Sequence, residues 1–512
     1  MTSVRTLAIA TGALALLVYV LRLNGVAGMY VDDAWYVLFA NAIASGQGYH
    51  LINAPSAEMA AVLPSSPPGF ALTLALVASL TPAFPGNVIV LKMVSVLAML
   101  GVGLLAATYY RDRGLTAPLA ATLALVVILT PAFVWLATST VMSEPLFTLA
   151  QIATVVLVGR RRPVLGGVAA AASVLIRSAG LPLLVAAVIW YLVRRERRAA
   201  ALFAATAIVL LLPWAMYARA YATPVEQRLA HGGAHVFTYQ EQFWMRRAGD
   251  IQSGQITASE LPGRVKDAIV DIFGRDVGAI VLPELYRSSM ESGEETLSVG
   301  GERSTISTGS MGNTAGTMVV SGLLSALALI GFVARWRRGA DVADYFVPLA
   351  LLPIVFFPHW AYRLVLPLTP FLYGYLVAGV QTLTPVWPRV LRIALACILS
   401  LHVIDHGMYW LQRQQAPWLE DAREADEVIA WMQRELTTPG HVASTNPALI
   451  YLRTGRKSLA IDDARGRWQD WRALGVRYVV SLRGQELPDP SLPYRVLFKT
   501  TRSGMWVVEA TD

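Results

Sequence analysis

Apolar residues in this chain run in long blocks, broken by short basic or aromatic interruptions. A helix needs about 20 apolar residues to cross the ~30 Å hydrocarbon core of a bilayer. Lipid offers the backbone no hydrogen-bond partners, so such blocks bond internally and bundle. The blocks 6–23, 88–110, 117–136, 146–158, 164–176, 181–193, 199–217, 315–334, 345–357, 364–383 and 393–410 predict eleven spans of a polytopic α-helical membrane protein. A further apolar block, 70–84, is bounded by Pro68-Gly69 and by Pro82 and Pro85. It is short for a span and is expected to stay on the outer side, juxtamembrane or re-entrant.

Between the blocks lie two long polar stretches. A first outer loop, 24–68, carries Asp32, Asp33 and Glu58. Within it, 34–44 reads as a short amphipathic helix lying on the membrane, closed by Gly46 and Gly48. A long outer loop, 218–314, ends in the Ser-, Gly-, Thr- and Glu-rich segment 288–314, which reads as mobile. After residue 410 the pattern changes. An amphipathic helix at 420–436, strands at 441–444, 458–461 and 476–482, a helical turn at 468–474 and a hairpin of 495–499 with 505–509 across Ser503-Gly504 predict a small α/β domain over 411–512. The transmembrane unit is then 1–410.

Charge fixes a sidedness for this plan. Only 15% of residues are charged, 55% are hydrophobic and the net charge is +8. The basic clusters at 111–113, 160–162, 194–198, 335–338 and 389–392 all fall on one side of an eleven-span chain. That is the positive-inside pattern. It accounts for the basic balance without nucleic acid and places the chain in the plasma (inner) membrane. The N-terminus is then cytoplasmic and the C-terminal domain outside. No small-residue cleavage site follows 6–23, so it is read as a retained helix. Cys397 is the only cysteine, which excludes an internal disulfide.

The candidate chemistry gathers around Met29-Tyr30-Val31-Asp32-Asp33-Ala34-Trp35-Tyr36. From Gly25 to Leu91 there is no Lys or Arg. Two adjacent carboxylates ringed by aromatics at a membrane surface suit the deprotonation of an acceptor hydroxyl, or a shared cation. Their plain structural reading is an N-capping pair for the helix starting at Ala34. Glu144 opens a span beside Pro145 and is either a cavity acid or a helix-dipole partner. Arg363 stands at an outer helix start next to His359 and Tyr362. A guanidinium there needs an anion, either a lipid phosphate or a loop acid. Arg177 interrupts an apolar stretch and must find a partner inside the protein. Lys92 lies near an outer boundary and could reach a phosphate or snorkel. A divalent metal ion is left open, with Asp32 and Asp33 as its carboxylates. His231 and His235 share a ligand-like spacing, but Gly232-Gly233 argues against a helix between them.

An Asp-Asp pair after the first helix, then a Tyr and a short helix ending Gly-x-Gly, resembles the first outer loop of the GT-C membrane glycosyltransferases. The nearest branch is the family 39 type, which includes protein O-mannosyltransferases and the lipid A aminoarabinose transferase. Pro67-Pro68-Gly69-Phe70, Met142-Ser143-Glu144-Pro145-Leu146-Phe147 and the Arg363-Leu364-x-Leu366-Pro367-Leu368-x-Pro370 stretch look like its other recurrent segments. The resemblance covers about residues 1–410. It implies a polyprenyl-phosphate-linked sugar donor and inverting transfer to a lipid, glycan or protein hydroxyl at the outer face, amid membrane lipids. By that likeness Asp32 is the general base and Asp33 and Glu144 are cavity acids. Arg363 contacts phosphate, with His359, Tyr362, Lys92, Arg177 and Tyr36 as further substrate-binding candidates. Two positions depart from the pattern: the second acid is Asp33 rather than Glu, and Ser66 stands where the aminoarabinose branch has Lys. A transporter or flippase of lipid-linked saccharides is the alternative. Its usual internal repeats are not found in the sequence.

Overall fold

The computed structural model of the chain describes residues 4–511 apart from 82, 225–227, 229–235, 249, 287–294, 300–301, 307–314, 359–361, 413–416, 462–468, 470, 484–486 and 489–491. Helices stand where the apolar blocks lie. They are α1 (Val4–Arg22), α2 (Asp32–Ala44), α3 (Gly69–Ala78), α4 (Val88–Arg111), α5 (Ala117–Ile128), α6 (Pro131–Thr138), α7 (Glu144–Gly159) and α8 (Pro163–Ile176). There follow α9 (Leu181–Val193), α10 (Arg197–Ala220), α11 (Ala315–Gly339), α12 (Val342–Phe356), the single turn α13 (Tyr362–Val365), α14 (Thr369–Leu383) and α15 (Trp387–Gln412). Proline marks many of the starts. It occupies the first or second position of α5, α6, α7, α8, α9 and α14, where its missing N–H costs nothing. Pro131 also bends the chain, and α5 and α6 meet at 56°.

The chain is a multi-pass membrane protein. Among the described residues five helices are long and apolar enough to cross a bilayer, or six with the bent α5–α6 pair. Eleven complete crossings are therefore not carried by length alone. Two of the shorter helices end at charged residues: α7 begins at the buried Glu144, and α8 ends at Ile176, next to the mostly buried Arg177. Block 70–84 holds the ten-residue helix α3. At ~1.5 Å rise per residue, about 15 Å, this helix alone is too short to span the ~30 Å core. The polar stretch 218–314 contains helix that its polarity does not predict. Leu261–Asp271 is helical and runs on through a π-turn, Ile272–Asp276, into the helix Val277–Val281. The segment read as mobile lies outside the described residues, apart from the paired strands Glu295–Val299 and Glu302–Ile306.

Two glycines set helix spacing at close quarters. A Cβ on Gly331 of α11 would meet Tyr375 O of α14 at 1.9 Å. One on Gly69 would meet the backbone of Leu175 at 2.6 Å. Small residues let membrane helices approach backbone to backbone. The Gly69 contact draws the end of α8, and with it Arg177, under the first outer loop.

The last part of the chain folds as a sheet with helices. Strands β1 (His441–Ser444), β2 (Ser458–Ala460), β3 (Val476–Ser481), β4 (Tyr494–Lys499) and β5 (Trp506–Ala510) lie in the order β2-β1-β3-β5-β4. β1 is parallel to β2 and β3, while β5 is antiparallel to both β3 and β4. The helix Pro417–Glu435 turns Ala422, Ala425, Val428, Ile429 and Met432 into the core, as its amphipathic pattern predicts. The helix Pro447–Thr454 was not read from the sequence. Asn446 starts it, accepting at its side chain from Leu449 N at 3.2 Å, and Gly455 ends it in the left-handed region.

Candidate active site

The site is built at the start of α2. The chain arrives through a tight turn in which Asp32 N donates to Tyr30 O at 2.9 Å. Val31, at its centre, has φ 68° and ψ −62°. This is a γ-turn of the rare, strained hand, and a β-branched residue adopts it at a cost. Strain of this kind persists where the surroundings hold it, and it clusters at functional sites. Its effect is to turn the two neighbouring acids to different partners.

Asp32 keeps part of its surface open. Its Oδ2 accepts from Arg363 Nη1 at 2.6 Å, and its side chain remains 33% exposed. Arg363 also donates from Nε to Glu144 Oε1, and its guanidinium lies 5.2 Å from the centre of the Tyr30 ring. Glu144 is fully buried, and its Oε1 accepts a second bond from Arg177 Nη1 at 2.9 Å. The other oxygen, Oε2, is buried with no hydrogen-bond partner among the described residues. Arg177 bonds Ser143 Oγ at 3.0 Å, and Ser143 Oγ meets the Tyr36 hydroxyl at 3.0 Å. Tyr36 lies one turn beyond Asp32 on α2, and burial pushes its phenol up to about 12. Two carboxylates and two guanidiniums thus alternate in a chain from the half-exposed Asp32 to the buried Arg177. Buried charges of this kind are held only in pairs.

Asp33 and Lys92 take no part in that array. Asp33 accepts from Gly28 N at 2.7 Å and Ala34 N at 3.0 Å and is buried. Burial pushes its carboxyl up to about 6, while the Gly28 bond and the Lys92 charge pull the other way. It clasps the turn. Neither acid makes a side-chain cap for α2, which starts at Asp32 itself. Lys92 donates to Asn24 O (2.9 Å), Asn24 Oδ1 (2.9 Å), Val26 O (2.6 Å) and Thr138 O (3.0 Å). These oxygens lie just past the end of α1 and at the end of α6, where helix carbonyls lack partners and cations are favoured.

Tyr362 is buried in the field of Asp276 and Glu284 rather than of Asp32, so adjacency to Arg363 in sequence does not place it in the array. His359, His231 and His235 lie outside the described residues. Asp32 Oδ2 is turned to Arg363, and the Asp33 oxygens are turned to backbone N–H groups. Among the described residues, no group of three or more His, Cys, Asp or Glu side chains could hold a metal ion.

Two members of the site were missed by sequence reasoning, and a third residue lies in its electrostatic neighbourhood. Tyr30 and Ser143 sit inside the quoted motifs but carry no charge to flag them. Arg483 comes from the C-terminal domain. Burial lowers its pKa, whereas Asp32 and then Tyr30 favour its charge. An arginine in a polar loop gives no sequence signal of that neighbourhood.

No family model matches the chain, and neither does any curated protein. Among solved structures it is similar to ArnT from Cupriavidus metallidurans bound to undecaprenyl phosphate. The identity is 14%, the coverage 98% of this chain and 99% of that one, and the TM-score 0.47. For the apo state of the same protein the values are 15%, 98% of each chain and 0.46. The chemistry of the site therefore rests on its own residues.

Proposed function

We propose that the chain is a membrane glycosyltransferase of the GT-C kind, moving a sugar from a polyprenyl-phosphate donor to an acceptor hydroxyl at the outer face. The observation that carries this reading is the Asp32–Arg363–Glu144–Arg177 array. It combines a half-exposed carboxylate with guanidiniums held rigid from behind. Sugar transfer from a lipid phosphate needs both: a base for the incoming hydroxyl and cations for the departing phosphate. Arg363 is shared between two acids, so a donor phosphate would compete with Asp32 for it. That exchange would free Asp32 to take the acceptor proton as the sugar's anomeric carbon is attacked from the face opposite the phosphate, inverting its configuration. Glu144 and Arg177 keep Arg363 in place throughout. Glu144 Oε2 is left to accept from a substrate hydroxyl.

The test is turnover by the purified full chain in detergent. Polyprenyl-phosphate sugars are supplied with lipid, glycan and peptide acceptors, and free polyprenyl phosphate is measured. Release that depends on an acceptor and is lost in Asp32→Asn supports the reading. No release with any donor, or release that Asp32→Asn leaves intact, would overturn it.

A further inference from the structure

The sheet domain meets the first outer loop at two places, past the carboxyl end of β1 and at the start of β2. Asn446 Nδ2 donates to Gly28 O at 2.5 Å, and an added Cβ on Gly28 would sit 2.6 Å from Leu449 Cδ1. Lys457 Nζ reaches Ile52 O at 2.6 Å. Ser458 N donates to Asn53 O at 2.7 Å, and Asn53 Nδ2 donates to Ser458 O at 3.0 Å. Because β1, β2 and β3 run parallel, their carboxyl ends share an edge, which is where open parallel sheets place ligand-binding loops.

Arg483 stands on that edge, two residues after β3 ends at Ser481. Its backbone is clasped: Ser481 Oγ donates to Arg483 O at 2.5 Å, and Leu482 N bonds Thr445 Oγ1 at 3.0 Å. Thr445 is followed by Asn446, which holds Gly28 O, so the half-buried Arg483 stands beside the turn that carries Tyr30 and Asp32, the two groups that favour its charge. Among the described residues, no oxygen accepts a hydrogen bond from its guanidinium. The array itself is neutral, with Asp32 and Glu144 against Arg177 and Arg363. Among the described residues, Arg483 makes three cations against two anions. An excess charge in a partly dry site is costly unless an anion joins it, and a planar fork of donors fits phosphate oxygens.

We infer that Arg483 is a phosphate-binding residue of this site, so that the C-terminal domain completes the cradle for the donor's lipid-linked phosphate opposite Arg363. This rests on the proposed use of a polyprenyl-phosphate donor. It adds that the membrane unit alone lacks one of its phosphate contacts.

The experiment titrates the full chain in detergent with undecaprenyl phosphate and with undecaprenol, for wild type, Arg483→Gln, Arg483→Lys and Arg477→Gln. Arg477 is an exposed arginine of β3 paired with Glu509. Wild type and Arg477→Gln should prefer the phosphate. Arg483→Gln should lose tenfold or more of that preference with undecaprenol binding unchanged, and Arg483→Lys should recover part of it. A wild type that binds both lipids equally overturns the parent reading and this inference with it. A wild-type preference that survives intact in Arg483→Gln overturns this inference alone, as does a variant that only melts earlier. If the Gln variant does not fold, Arg483→Lys decides: replacing the fork by a point charge should weaken the preference severalfold, and an unchanged ratio overturns the inference.

Discussion

Arg363 Nη1 lies 2.6 Å from Asp32 Oδ2, although the two residues are 331 positions apart in the chain. The same guanidinium holds Glu144, and Glu144 holds Arg177. The two acids differ in burial, 33% against 0% exposed. Their substitutions should differ accordingly.

Asp32→Asn removes a half-exposed charge, so the unfolding temperature should move little, by the equivalent of about 1 kcal/mol or less. Turnover should fall by about 10²–10⁴, the usual contribution of a positioned base. Thermal unfolding and sugar transfer measured on one preparation check this. A variant that unfolds early would assign Asp32 to structure instead.

Glu144→Gln should do the reverse in stability. It leaves Arg177 and Arg363 facing each other without their shared carboxylate. Breaking a buried pair from one side costs about 3–5 kcal/mol. Denaturant unfolding in detergent should register that loss, and transfer should fall with it. A fully stable Glu144→Gln protein would mean that solvent already screens the array.

Lys92→Met should destabilise the protein by more than about 3 kcal/mol, since several carbonyls at two helix ends lose their donor at about 1–3 kcal/mol each. Affinity for undecaprenyl phosphate in the folded fraction should not change. A selective loss of that affinity would restore Lys92 to the phosphate site.

Asp33 carries a pH dependence. Its carboxyl ionises near 6 in the folded chain, against about 4 when unfolded. Between those values the folded state keeps a proton that the unfolded state has lost, so stability falls as pH rises through 4 to 6 and levels off above. The shift is worth about 3 kcal/mol. The difference in unfolding free energy between wild type and Asp33→Asn should change by that order across the window. A flat difference would show that backbone donors keep Asp33 ionised.

Much of the membrane plan was legible because a bilayer imposes length and polarity on every crossing. The helices α4, α10, α11 and α15 sit on their apolar blocks. Arg363 and Glu144 were legible for a related reason: a charge at an apolar helix end must be answered by another charge. Asp33 and Lys92 were not. Alternation along the chain does not say that a γ-turn at Val31 rotates one acid away from its neighbour. Neither does it reveal that α1 and α6 end around one ammonium. Lengths near α7 and α8 misled for a physical reason too, since a polar array sunk into the bundle shortens the stretch that must be apolar. Arg483 could not be read, because its neighbours come from the other end of the chain.

The bonds that seat the sheet domain fall mostly on main-chain oxygens of the first outer loop: Gly28 O, Ile52 O and Asn53 O. Any residue offers a carbonyl, so the loop is gripped without regard to most of its side chains, while Asn446 and Lys457 do the gripping. Mutational drift should therefore be lopsided. The loop can explore new surfaces for new acceptors while staying anchored, and the sheet cannot change its two hands without letting go.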